Sequence, residues 1–231
     1  MSKGIFIALS GAVLKENQLE LISQNLANSS SLAFKKTRMA FKDYLSNPES
    51  EQSGKIMTDL AGVATDFTGG QVQVTSNPFD IALEGNGFIA LENNQYTRRG
   101  DLKKDLEGYL CTKNGSRVLG QNGPILIPPG RMEIGQNGEV VVEKNALDTI
   151  KIVDFEDKKS LTRVSGDIYT TAQTGIPAKA AVRQNCLEGS NVDVFGEMVQ
   201  IVSAMREYQA LQKVIQSFDE QTSKMTEVAR I

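Results

Sequence analysis

Residues 191–229 read NVDVFGEMVQIVSAMREYQALQKVIQSFDEQTSKMTEVA, and this stretch decides the fold. Its apolar side chains recur every three or four residues, which is the spacing of one face of an α-helix. Neither proline nor glycine interrupts the pattern after Gly196, and Asn191 or Asp193 can cap the first turn. A helix of about 35 residues is about 50 Å long, far longer than a small globule needs.

A second helical pattern lies at the other end of the chain, between residues 4 and 28. Its apolar positions form a narrow stripe of Ile5, Leu9, Ala12, Leu19, Ile22 and Leu26. The stripe of the last helix includes Met198, Ile201, Met205, Tyr208, Ile215 and Phe218. A narrow stripe suits another helix better than a sheet. We therefore predict that the two helices pair as an antiparallel coiled coil, and that these positions carry assembly with other copies.

The middle of the chain has the pattern of short strands. Asn-Gly pairs at 86–87, 114–115, 122–123 and 137–138 tolerate the positive φ that tight hairpins require. We predict an α+β fold in which one central β-rich domain resembles a small barrel or sandwich. The expected segments are an N-terminal coiled-coil helix (1–33), an extended arm or linker (34–70), the β-rich domain (71–187) and a C-terminal coiled-coil helix (188–231).

The composition argues against several classes of function. The chain of 231 residues has no histidine, two cysteines, 25 basic and 28 acidic residues. Histidine is the commonest general base and metal ligand, and two cysteines cannot make a four-thiolate zinc site. We expect no catalytic residue, no cofactor and no metal. We also expect no nucleic-acid partner, since the short basic clusters at 35–38 and 98–104 are best interpreted as solvated surface.

The remaining chemical candidates are carboxylates and thiols. We interpret Asp80, Glu84, Asp101 and Glu107 as exposed turn residues, although two suitably spaced carboxylates could hydrolyse a glycoside. A secreted β-domain carbohydrate-binding module or hydrolase with helical oligomerisation is thus an alternative. The absence of tryptophan weakens it. Cys111 and Cys186 are expected to be free and mostly buried, and whether they pair is left open.

The first residues also resemble a short secretory signal. Lys3 precedes an apolar run from Gly4 to Leu14, which is too short to span a bilayer. The helical pattern continues through Leu19 to Leu26, beyond any plausible cleavage site. We therefore interpret the segment as mature helix and expect no cleaved signal peptide and no membrane insertion.

Several short motifs keep a fixed order along nearly the whole chain. The first is Asn25-Leu26-Ala27-Asn28, between Ser10-Gly11 and Phe34-Lys35-Lys36. The middle ones are TSNPFDIA (75–82), GNGF (85–88) and YTRRG (96–100). The last is LEGSNVD (187–193), which includes Ser190, Asn191 and Asp193 and is followed by Glu197-Met198. Together these motifs resemble the bacterial flagellar rod and hook proteins.

Two places depart from the pattern of that family. The family usually has Thr-x-Gly-Phe-Lys where this chain has Ser31-Leu32-Ala33-Phe34-Lys35. Alanine adopts positive φ less readily than glycine, so we expect the local turn to differ. The usual Gln-Arg-x-Tyr-Glu of the last helix appears as AMREYQ at 204–209, in a region that would touch neighbours.

The resemblance implies a structural subunit of the flagellar basal-body rod, most like the proximal rod protein, and not an enzyme. Such a subunit self-assembles with its own copies and other axial proteins, and transmits torque in motility. The resemblance also implies export through the flagellar type III apparatus without a cleaved signal, and a place in the rod across the periplasm. The distal rod protein of the same family is the alternative.

Overall fold

The computed structural model describes residues 2–42 and 59–228. Clustering of contacts divides the chain into a helical unit (1–27, 37–64 and 193–231) and a β unit (28–36 and 65–192). Part of the predicted arm, residues 43–58, lies outside the described residues, as do residue 1 and residues 229–231 of the predicted terminal segments.

The helical unit contains the two long helices and a small sheet. Helix α1 spans Ser2–Ala27 and helix α2 spans Val194–Val228. Strands β1 (Thr37–Lys42) and β2 (Asp59–Thr65) pair with each other. The helices touch where a Cβ added at Gly4 would lie 2.9 Å from the Phe218 ring and one at Gly11 would lie 3.4 Å from Leu211.

The prediction of a long antiparallel coiled coil is wrong. Of the predicted stripe, Leu9, Met198 and Met205 are 51%, 48% and 47% exposed. The buried apolar positions of the two helices are Ala12 and Ile22 of the predicted stripe and, outside it, Ala8 and Ala204. Small side chains let the helix backbones approach closely, whereas a coiled coil needs large side chains inserted regularly between those of its partner. The fold matches the expected α+β class only in its mixed content of helices and strands.

The β unit consists of short strands joined by tight turns. In chain order they are β3 (Val72–Val74), β4 (Ile81–Glu84), β5 (Phe88–Leu91), β6 (Gln95–Thr97), β7 (Leu102–Lys104), β8 (Leu110–Thr112), β9 (Met132–Ile134), β10 (Glu139–Val142), β11 (Asn145–Thr149), β12 (Ile152–Asp154), β13 (Thr162–Ser165), β14 (Ile168–Thr170), β15 (Ile176–Pro177), β16 (Ala181–Gln184) and β17 (Cys186–Glu188).

These strands form several small antiparallel sheets rather than one barrel or sandwich. The largest sheet has the order β13-β14-β6-β5-β12-β15, and a three-stranded sheet has the order β11-β10-β9. The pairs β16-β4, β17-β3 and β7-β8 are separate. The expectation of a single closed or two-layered sheet is therefore also wrong, because the strands are mostly three or four residues long and fall into separate small sheets.

Two apolar cores stabilise the β unit. The larger one is aliphatic and includes Ile81, Ile89, Leu91, Leu110, Val118, Val140 and Ile150. The smaller one is aromatic and is built on Phe88, Phe155 and Tyr169. Phe67 packs against it, with its ring centroid 5.5 Å from Phe88 and 5.4 Å from Tyr169. This aromatic contact fixes the segment that leads into β3.

Positive φ occurs at the predicted turns and also at Ala33, where the family pattern has glycine. The glycine of each Asn-Gly pair has positive φ: Gly87, Gly115, Gly123 and Gly138. Ala33 is buried and also has positive φ, 54°. The departure from the glycine of the family pattern therefore does not remove the left-handed conformation, which costs alanine about 1–2 kcal/mol.

Candidate functional site

The most densely bonded polar site in the described part of the chain surrounds Glu188, at the end of β17. Its carboxylate accepts hydrogen bonds from Lys35 Nζ at 2.6 Å, Arg98 Nε at 2.8 Å and the Gly70 amide at 2.8 Å. Lys35, Arg98 and Glu188 are all buried. We call this group the Glu188 cluster, and it joins three parts of the β unit that are distant in sequence.

The other donors of the Glu188 cluster are also used within the β unit. Lys35 Nζ donates to the Thr68 carbonyl at 2.7 Å. The Arg98 guanidinium donates to the carbonyls of Gly87, Leu83 and Gly85 at 2.7, 3.0 and 2.6 Å. Buried charges are tolerated only when they are paired and hydrogen-bonded in this way. These groups therefore fix the chain and leave little capacity to bind a ligand.

The charges of the cluster shift two pKa values. Burial by itself raises the pKa of a carboxyl, but Arg98 and Lys35 more than offset it and hold the pKa of Glu188 below its ordinary value. Burial lowers the pKa of Lys35, and Glu188 offsets only part of this effect. The lowered pKa values of Glu188 and Lys35 both agree with a site in which Lys35 and Arg98 share one carboxylate.

Asn191 holds the segment after α1 beside the segment before β3. Its side-chain oxygen accepts from the Lys36 amide at 2.7 Å, and its side-chain nitrogen donates to the Asp66 carbonyl at 2.8 Å. Its own backbone amide donates to the Phe34 carbonyl at 3.2 Å. This single asparagine thus connects three chain segments of the β unit.

Asn25 likewise connects two chain segments through its side-chain amide, but within the helical unit. It is buried near the end of α1, where its side-chain oxygen accepts from the Thr37 amide at 3.0 Å. Its side-chain nitrogen donates to the Thr37 carbonyl at 2.9 Å. The amide group thereby pairs with the first residue of β1 as a neighbouring strand would, and this pairing fixes where the chain turns after α1.

The structure does not gather the predicted site residues into one place. On the helices, Ala12 and Ile22 are buried, Leu9, Met198 and Met205 are exposed, and the other predicted positions are half-buried: Ile5, Leu19, Leu26, Ile201, Tyr208, Ile215 and Phe218. Of the motif residues, Asn25 is buried, Asn28, Ser190 and Asn191 are half-buried, and Ala27 and Asp193 are exposed. Their roles in assembly stay predictions.

Sequence reasoning missed the Glu188 cluster. The interpretation of the two basic clusters as solvated surface is wrong for Lys35 and Arg98, because their partner lies 153 and 90 residues away in sequence. The interpretation of Asp80 and Asp101 as exposed carboxylates is also wrong, because both are buried. Asp80 is buried and accepts from the Asn77 side chain at 2.8 Å.

Large apolar side chains are exposed along both helices. On α1 they are Phe6, Ile7, Leu9 and Val13, and on α2 they are Phe195, Met198, Val199, Val202, Met205 and Val214. Phe195 is 81% exposed. Scattered single residues of this kind are normal, but contiguous rows mark surfaces that other molecules cover.

Other kinds of site are few in the described part of the chain. Within residues 2–42 and 59–228, histidine, cysteine, aspartate and glutamate residues form no group of three that could hold a metal. No helix in this part of the chain is both long and apolar enough to cross a membrane. Cys111 and Cys186 are free and buried, and burial raises the pKa of the Cys111 thiol.

Exposed apolar rows on the helices of one unit, and buried charges bonded internally in the other, are typical of a structural subunit. Comparison with known proteins indicates which class of structural protein this chain resembles. Residues 82–142 match the family described as flagellar hook protein FlgE/F/G D1 domain, and residues 183–228 match the flagellar basal body rod FlgEFG protein C-terminal family.

Full-length relatives agree with these matches. The chain is 27% identical to the flagellar basal-body rod protein FlgG of Bacillus subtilis, with both chains covered completely. It is 26% identical to the flagellar basal-body rod protein FlgF of Escherichia coli, over 99% of this chain and 98% of the relative. It is also 26% identical to FlgF of Caulobacter vibrioides, over 93% of each chain. The chain is thus similar along its whole length to flagellar basal-body rod proteins.

Proposed function

We propose that this chain is a structural subunit of the flagellar basal-body rod, which assembles with other axial proteins and transmits torque in motility. The observation that carries the proposal is the exposed apolar surface along α1 and α2. Burial of such surface against neighbouring subunits contributes about 25 cal/mol for each Å². Assembly would therefore supply the apolar contacts that the exposed faces of the helices lack in the single chain.

The proposal gives each part of the chain a role. Residues 1–33 and 188–231 carry assembly, through the helix positions named from the sequence. Residues 71–187 form the outward-facing part, and residues 34–70 brace adjacent subunits. The hydrogen bonds of Asn191 and the Glu188 cluster hold both ends of the 34–70 segment, around Lys35 and Gly70, in fixed positions in the β unit.

The finer identity proposed is the proximal rod protein, located in the rod across the periplasm. Export proceeds through the flagellar type III apparatus without a cleaved signal. The partners are copies of this chain and other axial proteins. FlgG and FlgF match this chain at similar identity. Both are named flagellar basal-body rod proteins, which supports the rod as the location.

The proposed role involves no catalysis. The carbohydrate alternative needs two carboxylates that face one substrate, and Asp80 and Glu84 are differently engaged. Asp80 is buried against Asn77, whereas Glu84 is exposed and pairs with Arg183 at 3.0 Å. No second function is proposed.

Immunolabelling of isolated basal bodies tests both levels of the proposal. The gene is deleted in the bacterium that encodes it, and the full chain is supplied from a plasmid with an epitope after the last residue. We expect loss of swimming, its restoration by the plasmid, and label on the part of the rod near the inner membrane. Label near the hook would favour the distal subtype. Normal swimming after deletion, with no label on the rod, would contradict the proposed function.

A further inference from the structure

The four Asn-Gly turns share a reaction that alters the chain chemically. The backbone nitrogen of a glycine can attack the side-chain carbonyl carbon of the asparagine before it, because glycine has no Cβ to block the approach. A bond forms between this nitrogen and the asparagine Cγ, the bond from Cγ to Nδ2 breaks, and Nδ2 leaves as ammonia with the proton of the glycine amide. Water then opens the cyclic imide at either carbonyl, which gives aspartate or isoaspartate.

Hydrogen bonds protect two of these turns. The attacking nitrogen must lose its proton, so a hydrogen bond that the glycine amide donates has to break before the reaction can occur. The Gly115 amide donates to the Thr112 carbonyl at 3.0 Å, and the Gly138 amide donates to the Gly135 carbonyl at 2.9 Å. The asparagine before each of these glycines is therefore expected to react slowly in the folded chain, although it is exposed.

Crowding protects a third turn, Asn86-Gly87. Gly87 is buried, and a Cβ there would lie 2.9 Å from both Ala178 and Ile152. Its carbonyl also accepts from the Arg98 guanidinium at 2.7 Å, which fixes the glycine to the Glu188 cluster. The asparagine side chain must rotate onto the glycine nitrogen to react, and the close-packed surroundings leave little room for this movement.

The turn at Asn122-Gly123 has neither protection. Within residues 2–42 and 59–228, no group accepts a hydrogen bond from the Gly123 amide. Nothing lies within 4 Å of a Cβ placed at Gly123, and Asn122 is exposed. The nitrogen that attacks and the carbonyl carbon that is attacked are thus both accessible.

We propose that Asn122 is a site of spontaneous deamidation, and that it converts to aspartate and isoaspartate faster than Asn86, Asn114 and Asn137. Asparagine is among the thermolabile residues of proteins, and here the fold selects which asparagine is open to the reaction. The co-reactant is water. The inference concerns the β unit alone and does not depend on the proposed function.

Asp148 holds this turn and determines what deamidation does to it. Its carboxylate accepts from the backbone amides of Gln121 and Asn122 at 3.2 and 3.1 Å, and from Asn122 Nδ2 at 3.2 Å. Because Nδ2 is the leaving atom, this last bond can persist while Cγ is attacked. Afterwards a second carboxylate lies beside Asp148, and the two negative charges repel each other. The turn is then expected to be held less firmly to β11.

Peptide mapping by mass spectrometry measures the conversion of each asparagine. The full-length chain is incubated in mildly alkaline buffer, once folded and once unfolded in urea, and samples are taken over several weeks. The rate in urea is the reference for each Asn-Gly pair, because the fold no longer protects any of them. Relative to this reference, we expect Asn122 of the folded chain to convert at least about fivefold faster than Asn114 or Asn137, the factor that corresponds to one amide hydrogen bond of about 1 kcal/mol.

Several results would overturn the proposal. Equal relative rates at Asn122, Asn114 and Asn137 would show that the hydrogen bonds of the glycine amides do not decide the reaction. An Asn122 that stays intact in the folded chain, while the unfolded chain converts, would show that the fold protects it. Faster conversion of Asn86 than of Asn122 would show that burial of the glycine does not slow the reaction.

Asn122→Asp tests the effect of the product on the turn, with Asn114→Asp as the matched control. Both variants add one negative charge in an exposed turn, and position 122 is the one that contacts Asp148. Hydrogen exchange of the Gln121 backbone amide is expected to be faster in Asn122→Asp than in the wild-type chain and unchanged in Asn114→Asp. Unchanged exchange in Asn122→Asp, or equal acceleration in both variants, would contradict the repulsion at Asp148.

Discussion

At the scale of single residues, Glu188 determines how the β unit holds its incoming segments. Its carboxylate is buried between the charges of Lys35 and Arg98 and also accepts the Gly70 amide. A complete buried ion cluster adds little net stability, because desolvation offsets the attraction between charges. An incomplete one is costly, so the effect of each member appears when it is removed.

Glu188→Gln is expected to lower the free energy of unfolding by about 3 kcal/mol, because it leaves two buried cations without a counter-charge. Urea unfolding followed by circular dichroism measures this change. Glu84→Gln is the control, since its pair with Arg183 is exposed on both sides. That change is expected to stay within about 0.5 kcal/mol. Equal effects of the two variants would contradict the account of the cluster.

The pH dependence of stability should report the same carboxylate. The pKa of Glu188 is lowered in the folded chain from an ordinary value of 4.5. Its contribution is therefore complete above pH 4.5 and is lost as the pH falls through the lowered pKa. The difference in unfolding free energy between the wild-type chain and Glu188→Gln should shrink below pH 4.5. A difference that stays constant down to acid unfolding would disagree with this assignment.

Gly70 and Gly69 form a natural pair for a steric test. A Cβ at Gly70 would lie 2.1 Å from the Gly189 carbonyl oxygen, whereas the nearest atom to a Cβ at Gly69 is 3.9 Å away. Gly70→Ala must displace backbone beside the Glu188 cluster, so we expect a loss of about 2 kcal/mol or more in the free energy of unfolding. Gly69→Ala should change it by less than about 0.5 kcal/mol. The idea fails if both variants unfold at the same urea concentration.

Some residue roles could be predicted from the sequence and others could not. Asn25 and Asn191 stand out through their motifs, but the backbone groups that they bond become neighbours only in the fold. Lys35 and Arg98 look like ordinary surface cations, since nothing local shows that Glu188 lies between them. Burial of a charge is a tertiary property, which a single sequence does not display without its partners.

At the scale of elements, the helices were predictable in extent, but the face that they bury was predictable only in part. The expected pattern between residues 4 and 28 corresponds to α1, Ser2–Ala27. On α2 the buried positions include Glu197 and Ala204, each one residue before the predicted Met198 and Met205. A polar and a small residue do not signal burial, so apolar periodicity misses these two positions of α2, whereas on α1 it includes the buried Ala12 and Ile22.

Gly11→Ala is expected to stabilise α1. Alanine gains about 0.5–1 kcal/mol over glycine inside a helix, and its Cβ would meet Leu211 at 3.4 Å, near ordinary contact. Gly4→Ala is the matched comparison, because its Cβ would lie 2.9 Å from the Phe218 ring and the ring must move. Hydrogen exchange of the α1 backbone amides measures the effect of each of the two variants. Faster exchange in Gly11→Ala than in Gly4→Ala would contradict the described packing.

At the scale of the whole molecule, the chain combines a β unit that is bonded internally with helices that remain incompletely covered. The mixed helix and strand content was predictable from patterning, and the family from ordered motifs. The division into small sheets was not, because strands of three residues carry too little pattern to reveal their partners. The exposed helix rows likewise became visible only when burial was known.

Incorporation into the rod tests the central claim most directly, namely that the exposed helix faces build the assembly. A strain that lacks the gene is supplied with the wild-type chain, with Val199→Asp/Val202→Asp, or with the control Leu106→Asp/Val164→Asp. Immunoblotting then measures each chain in purified basal bodies relative to its amount in the cell. We predict at least tenfold less of the helix variant and normal amounts of the control. Equal incorporation of the helix variant and the wild-type chain would contradict the account.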